Sequence, residues 1–216
     1  MPISAVLFDL DNTIYPASSG VMKGIDVRIT EYVQNLLGLE IEQAQELRRH
    51  YYRTYGTTLN GLQRHHGVDA EHYLSHVHDL AIESFLTSDA ELDHLLSELT
   101  ATKAIFTNSP AEYARRVLRA MSIERHFEHI FDIRFSRFRP KPDPVVYQSV
   151  LDTLGVAGAA AILVEDSPQN LPPARALGMT TILVGPYASA STASFIDFKT
   201  DRLAPFLAQA QLRDAA

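Results

Sequence analysis

The stretch Ala5-Val6-Leu7-Phe8-Asp9-Leu10-Asp11-Asn12-Thr13 sets the reading of the whole chain. A short apolar run near the chain start reads as a buried strand, and here it gives way abruptly to acids and hydroxyls. Side chains of a strand alternate faces, so Asp9 and Asp11 are predicted to project the same way and to meet at one strand end. Two carboxylates that close raise each other's pKa unless a proton or a cation lies between them. Taken alone, the stretch also fits a turn in which Asp11, Asn12 and Thr13 bond their own backbone.

Later segments favour the strand. Ala104-Ile105-Phe106 ends in Thr107-Asn108-Ser109-Pro110, and Ala161-Ile162-Leu163-Val164 ends in Glu165-Asp166-Ser167. A weaker strand is predicted at Ile130 to Ile133 and another at Thr181 to Val184, with helical patterns after each polar turn. Strands alternating with helices imply a parallel sheet covered by helices on both faces. The fold class is therefore α/β, a Rossmann-like three-layer α/β/α core. Residues 16–88 differ, because apolar positions there recur at helical spacing: Val21, Ile25, Ile29, Val33 and Leu36, then Ile41, Ala44, Leu47 and Tyr51. Gly38 reads as a helix stop, Asp69 and Asp89 as helix caps, and Tyr55 to Gly61 as a loop with polar handles. Leu203, Phe206, Leu207 and Leu212 predict a last amphipathic helix. The expected organisation is a core of 1–15 and 89–216, with 16–88 inserted as an all-helical domain.

With 216 residues, 46% of them hydrophobic, the chain can bury a substantial core. The net charge of -7 disfavours a nucleic-acid polymer or an anionic membrane as partner. The absence of cysteine excludes disulfides, thiolate metal sites and a cysteine nucleophile, and fits a cytoplasmic protein. No apolar run approaches the length of a membrane span, and residues 1–15 lack the pattern of a signal peptide.

Ligands of open parallel sheets sit at the carboxyl ends of the strands. Asp9, Asp11, Thr107, Asn108, Glu165 and Asp166 collect at such ends, with Lys141 in a proline-bounded loop. Clustered oxygen ligands suit Mg²⁺, which binds one or two carboxylates and takes further ligands from water and phosphate. Lys141 adds a compact charge for phosphate or for anchoring a carboxylate.

Together, Asp9-Leu10-Asp11-Asn12-Thr13, Phe106-Thr107-Asn108, Lys141-Pro142-Asp143-Pro144 and Val164-Glu165-Asp166-Ser167 resemble, in order and spacing, the four motifs of haloacid dehalogenase-superfamily phosphatases. The helical block falls where that superfamily inserts a cap. The resemblance implies Asp9 as the nucleophile that forms an aspartyl phosphate and Asp11 as the general acid and base. It implies Thr107 and the neighbouring backbone as the phosphoryl cradle, with Asn108 also at the substrate and Lys141 stabilising the transferring group. Mg²⁺ would be held by Asp9, Asp166 and the main-chain carbonyl of Asp11, with Glu165 acting through a neighbour or a water. Asp11 argues against dehalogenation, because the superfamily's dehalogenases lack a carboxylate at that position. No lysine between Gly24 and Thr102 is present to form a phosphonatase Schiff base.

Phe8 to Pro16, Tyr51 to Leu62 and Glu165 to Leu171 are similar to the pyrimidine 5'-nucleotidase branch, which implies UMP and CMP as substrates. Relatives of that branch include phosphatases for other small phosphates, so the alternative reading is a phosphatase for a sugar phosphate or pyridoxal phosphate. Thr57 and Thr58 are expected to contact the substrate beyond its phosphate. The alternative of a different class is a non-catalytic module that binds phosphate ligands. The expected partner is thus a small phosphomonoester, and the expected state a monomer or homodimer. His72 and His76, four apart and near His65, His66 and His78, suggest a transition metal less than they suggest a solvated surface. Arg48, Arg49 and Arg53 read mainly as a solvated basic face, and Tyr51, Tyr52 and Tyr55 as core.

Overall fold

The computed structural model describes residues 2–208. They form two compact units, one from the chain up to Ser19 and from Leu86 onward, the other Gly20–Phe85. The first unit is built on six parallel strands, β1 (Ala5–Phe8), β2 (Thr102–Phe106), β3 (His129–Phe131), β4 (Ala161–Glu165), β5 (Thr180–Val184) and β6 (Phe198–Thr200). Their order is β3-β2-β1-β4-β5-β6. The chain thus winds outward from β1 to one edge, returns at β4, and winds to the other. The reversal of order lies beside β1, where such sheets open a crevice at the strands' carboxyl ends.

Register follows from burial. Leu7 lies opposite Ala104 of β2 and Leu163 of β4. These residues, with Phe106 and Leu183, form one core with Val146, Tyr147, Val150 and Leu151 of α7 (Pro144–Leu154) and with Leu171 and Ala174 of α8 (Leu171–Ala176). On the opposite face Val6, Phe8, Ile105, Ile162, Val164 and Ile182 are equally buried. A sheet buried on both faces explains why its central strands read as unbroken apolar runs. The remaining helices of this unit are α5 (Ala90–Glu98), α6 (Ala111–Ala120) and α9 (Leu203–Ala208), and Asp89 caps α5 through the Leu92 N–H. Leu212, expected to extend the last helix, lies outside the described residues. β6 is absent from the sequence expectation because Phe198-Lys199-Thr200 is a short, largely exposed edge with no apolar run to reveal it.

The second unit packs α1 (Val21–Leu37), α2 (Ile41–Tyr55), α3 (Thr58–His66) and α4 (Ala70–Val77). Gly38 ends α1 in the left-handed conformation, and Asp69 caps α4 through the His72 N–H. α3 corrects the expected loop: the helix begins at Thr58, capped by Thr57, whose hydroxyl accepts the Asn60 N–H at 3.1 Å. Gly61 misleads the sequence reading here. It lies inside α3, and glycine stands there because α2 crosses so closely that a Cβ would lie 2.3 Å from Cγ of the Tyr51 ring.

Gly61→Ala is therefore expected to reverse the usual helix preference. Alanine gains about 1 kcal/mol in helix propensity, but overpacking against a buried ring costs about 1–3 kcal/mol. The expected net result is a lower unfolding midpoint by thermal melting; a higher one would mean that Tyr51 repacks freely.

Candidate active site

The loop after β1 makes a single tight turn, with the Ile14 N–H bonded to the Leu10 carbonyl at 3.0 Å and Asn12 left-handed at φ 61°. Residues four apart face each other across such a turn. Each acid accordingly meets a hydroxyl: Thr13 donates to Asp9 Oδ2 at 3.0 Å, and Tyr15 donates to Asp11 Oδ1.

β1 ends at Phe8, so strand alternation stops short of Asp11 and the two carboxylates have different partners. Asp9 is buried, and its N–H continues the β1–β4 ladder to the Val164 carbonyl at 2.9 Å. Its Oδ1 accepts Lys141 Nζ at 2.7 Å. The same ammonium donates to Glu165 Oε2 at 2.7 Å and to the Phe106 carbonyl at 2.8 Å. Asp11, by contrast, accepts from Tyr15, from Ser109 at 2.7 Å and from Tyr113 at 2.8 Å. None of these hydroxyls is assigned to Asp11 in the sequence reading. The four-residue spacing from Asp11 to Tyr15 is the one signal that reveals any of them.

The field at the site follows from this packing. Burial first, then Glu165, push Asp9 up to about 7 against the pull of Lys141, and Asp11 contributes less than either. The mutual repulsion expected between Asp9 and Asp11 is thus a minor cause. Burial, then Asp9, push Asp166 up to about 6. Burial alone would push Lys141 down, but Asp9 and Glu165 outweigh it and hold the ammonium.

Asp9, Glu165 and Asp166 each offer an oxygen within 4.8 Å of the others. The donors are all oxygen, as a hard divalent cation requires. Beside them Asn12 donates to Asp166 Oδ2 at 3.3 Å, while its own buried Oδ1 has no hydrogen-bond partner. The set therefore fits Mg²⁺. Both Glu165 oxygens already accept hydrogen bonds, from Lys141 and from the Ser167 N–H.

Thr107 is buried at the end of β2, where its hydroxyl accepts the Ser109 N–H at 3.0 Å. Asn108 clasps the backbone of Lys141, accepting its N–H at 2.7 Å and donating to its carbonyl at 3.3 Å. In the helical unit Thr57 caps α3, and the buried Thr58 donates to the Arg48 carbonyl at 3.4 Å. Arg48 pairs with Asp26, whereas Arg49 is exposed. Tyr32 meets His72 at 3.0 Å, Tyr51 meets His66 at 2.8 Å, and Tyr55 meets His65 at 2.7 Å. Among the described residues no histidine joins a group of potential metal ligands.

Residues 3–178 match the family described as haloacid dehalogenase-like hydrolase. Phosphate metabolism protein 8 of Saccharomyces cerevisiae is 27% identical over 191 residues, which cover 82% of this chain and 60% of the yeast protein. Phosphoglycolate phosphatase of Pseudomonas savastanoi pv. phaseolicola is 24% identical over 190 residues, 82% of this chain and 67% of its own length. A HAD phosphatase from Thermococcus onnurineus shares the fold at a TM-score of 0.62 and 21% identity, covering 93% of this chain and 94% of that one.

Lys141→Met should leave Asp9 and Glu165 buried without their cation, a loss of about 3–5 kcal/mol in comparable buried pairs. Both carboxylates have folded pKa values above the unfolded ones, so the folded form holds more protons from about pH 4 upward and stability falls as pH rises through that window. Removing the ammonium raises the folded values further. The penalty is therefore expected to be larger at about pH 8 than at about pH 5. Urea denaturation in excess chelator at both pH values measures it, and equal penalties would disprove this account.

Proposed function

Because the chain belongs to the haloacid dehalogenase-like hydrolases, we propose that it hydrolyses phosphate monoesters by way of a phosphoryl group carried on Asp9. The observation that carries this reading is the buried Lys141 ammonium bonded to both Asp9 and Glu165, with Asp166 close enough to share a cation. Such a site concentrates negative charge that only cations balance, and it suits a ligand that arrives as a dianion with Mg²⁺. The phosphatase named among the relatives supports the same reading.

In this reading Asp9 attacks phosphorus along a line fixed by Thr13 and Lys141. Lys141 and Thr107 take the charge that grows on the phosphoryl oxygens, and Asn108 holds the Lys141 backbone in place. Asp11 protonates the leaving oxygen and later takes a proton from the attacking water. Asp9, Asp166 and the carbonyl of Asp11 would hold Mg²⁺, with Glu165 fixed beside them by Lys141. When bound, the ion polarises phosphate and offsets carboxylate charge.

For the substrate we infer a pyrimidine 5'-nucleotide, UMP or CMP, on the resemblance of Phe8 to Pro16 and Tyr51 to Leu62 to that branch. Residues 16–88 correspond in this reading to the superfamily's cap, and of its two threonines Thr57 is the more accessible, since Thr58 is buried. A screen of UMP, CMP, sugar phosphates and pyridoxal phosphate in excess Mg²⁺ should give the highest kcat/KM with UMP or CMP. A preference for a sugar phosphate would overturn the nucleotidase and leave the phosphatase intact.

Asp9→Asn should remain folded and release no measurable phosphate, because an amide is a poor nucleophile and monoesters hydrolyse extremely slowly unaided. Residual turnover within about tenfold of wild type would sink the covalent route. Chelation should abolish activity and added Mg²⁺ restore it, as followed by phosphate release. Full turnover in excess chelator would exclude a resident cation.

A further inference from the structure

Asp11 is held by hydroxyls from three separate segments: Tyr15 in the turn after β1, Ser109 in the turn after β2, and Tyr113 on α6. The two tyrosines donate to the same oxygen, Oδ1, and their own hydroxyls lie 3.0 Å apart. Both rings are 1% exposed, so packing fixes them. Burial first, then the neighbouring Asp11 charge, push both phenols well above their ordinary value, which keeps them neutral donors. Ser109 alone among these hydroxyls donates to Oδ2, on a side chain with one rotatable bond to its oxygen.

A carboxylate oxygen offers two lone-pair directions. Oδ1 has both engaged by rigid, buried donors. Oδ2 has one engaged by a small hydroxyl, and it keeps acceptor capacity for a reacting group. The two oxygens of Asp11 are therefore not equivalent, although nothing in the sequence distinguishes them.

We propose, on the phosphatase reading above, that Tyr15 and Tyr113 are positioning residues that pin Asp11 through Oδ1 and leave Oδ2 as the oxygen that carries the proton. In the first step the bond from Asp9 to phosphorus forms and the bond from phosphorus to the leaving oxygen breaks. That oxygen takes the proton from Oδ2 and departs as an alcohol. In the second step a water oxygen bonds to phosphorus, the bond from phosphorus to Asp9 breaks, and the water's proton passes to Oδ2. The starting state returns with every proton accounted for. Pinning one oxygen matters because proton transfer depends on where the other one sits, and a misplacement of about 1 Å can cost about a hundredfold in rate.

Tyr113→Phe removes one anchor and keeps the ring that fills the core. The full chain, in excess Mg²⁺, is assayed for phosphate release from p-nitrophenyl phosphate and from glycerol phosphate. Nitrophenolate leaves with little help from an acid, whereas an alkoxide requires one. The expected kcat loss is about tenfold larger with glycerol phosphate than with p-nitrophenyl phosphate. In an Asp11→Asn background the same substitution should leave that ratio unchanged, since the group it positions is gone. Tyr15→Phe removes the other anchor and carries the same comparison where the Tyr113 variant does not fold. Equal losses on both esters, or a change of ratio that persists beside Asp11→Asn, would overturn the positioning role while the phosphatase stands. Wild-type protein that releases phosphate from neither ester would overturn the phosphatase reading and this inference with it.

Discussion

Lys141 donates at once to Asp9 after β1, to the Phe106 carbonyl at the end of β2, and to Glu165 at the end of β4. One ammonium thus ties together the carboxyl ends of three neighbouring strands. Burying a charge is costly, and the cost is met only where geometry is close and every proton has an acceptor. Here each of the three ammonium protons has one. The arrangement requires β1 between β2 and β4, and the observed strand order supplies it. The sheet and the site are therefore one problem: the order that buries the apolar runs also delivers the acids to the cation.

Two acids two residues apart are given different surroundings by a single turn. Asp9 stays in the ladder, meets an ammonium and is raised by burial. Asp11 lies beyond the strand end and meets only hydroxyls. Separating the environments of paired carboxylates is a general means of giving each its own role. The chain leaves strand geometry after Phe8, and the left-handed Asn12, immediately after Asp11, completes the turn that separates the two surroundings.

Much of this was legible in the residues, and the rest was hidden for physical reasons. Apolar runs such as Ala161 to Val164 are long enough, and abrupt enough at their polar ends, to mark buried parallel strands and the side of the sheet where ligands collect. β6 left no such mark, because an exposed edge strand needs no apolar run. α3 was hidden by Gly61, which reads as a loop residue until the Tyr51 ring beside it is seen. Tyr113 sits on the buried face of α6, and nothing in the sequence marks its hydroxyl as a partner of Asp11. Periodicity reports that a ring is buried and says nothing of where its hydroxyl points.

The inserted position of the helical unit has a consequence for the order in which the molecule assembles. β1 is made first, yet its ladder partners begin only at Thr102 and Ala161. The helices of Gly20–Phe85 pack among themselves and are complete well before either strand exists. During synthesis the nascent chain thus carries a finished helical unit behind an apolar strand with both edges bare. Such edges pair with any strand offered to them, including another copy of the same one. Thr102–Phe106 covers one edge of β1 and Ala161–Glu165 the other, so a bare edge persists after β2 is made and closes only when β4 arrives.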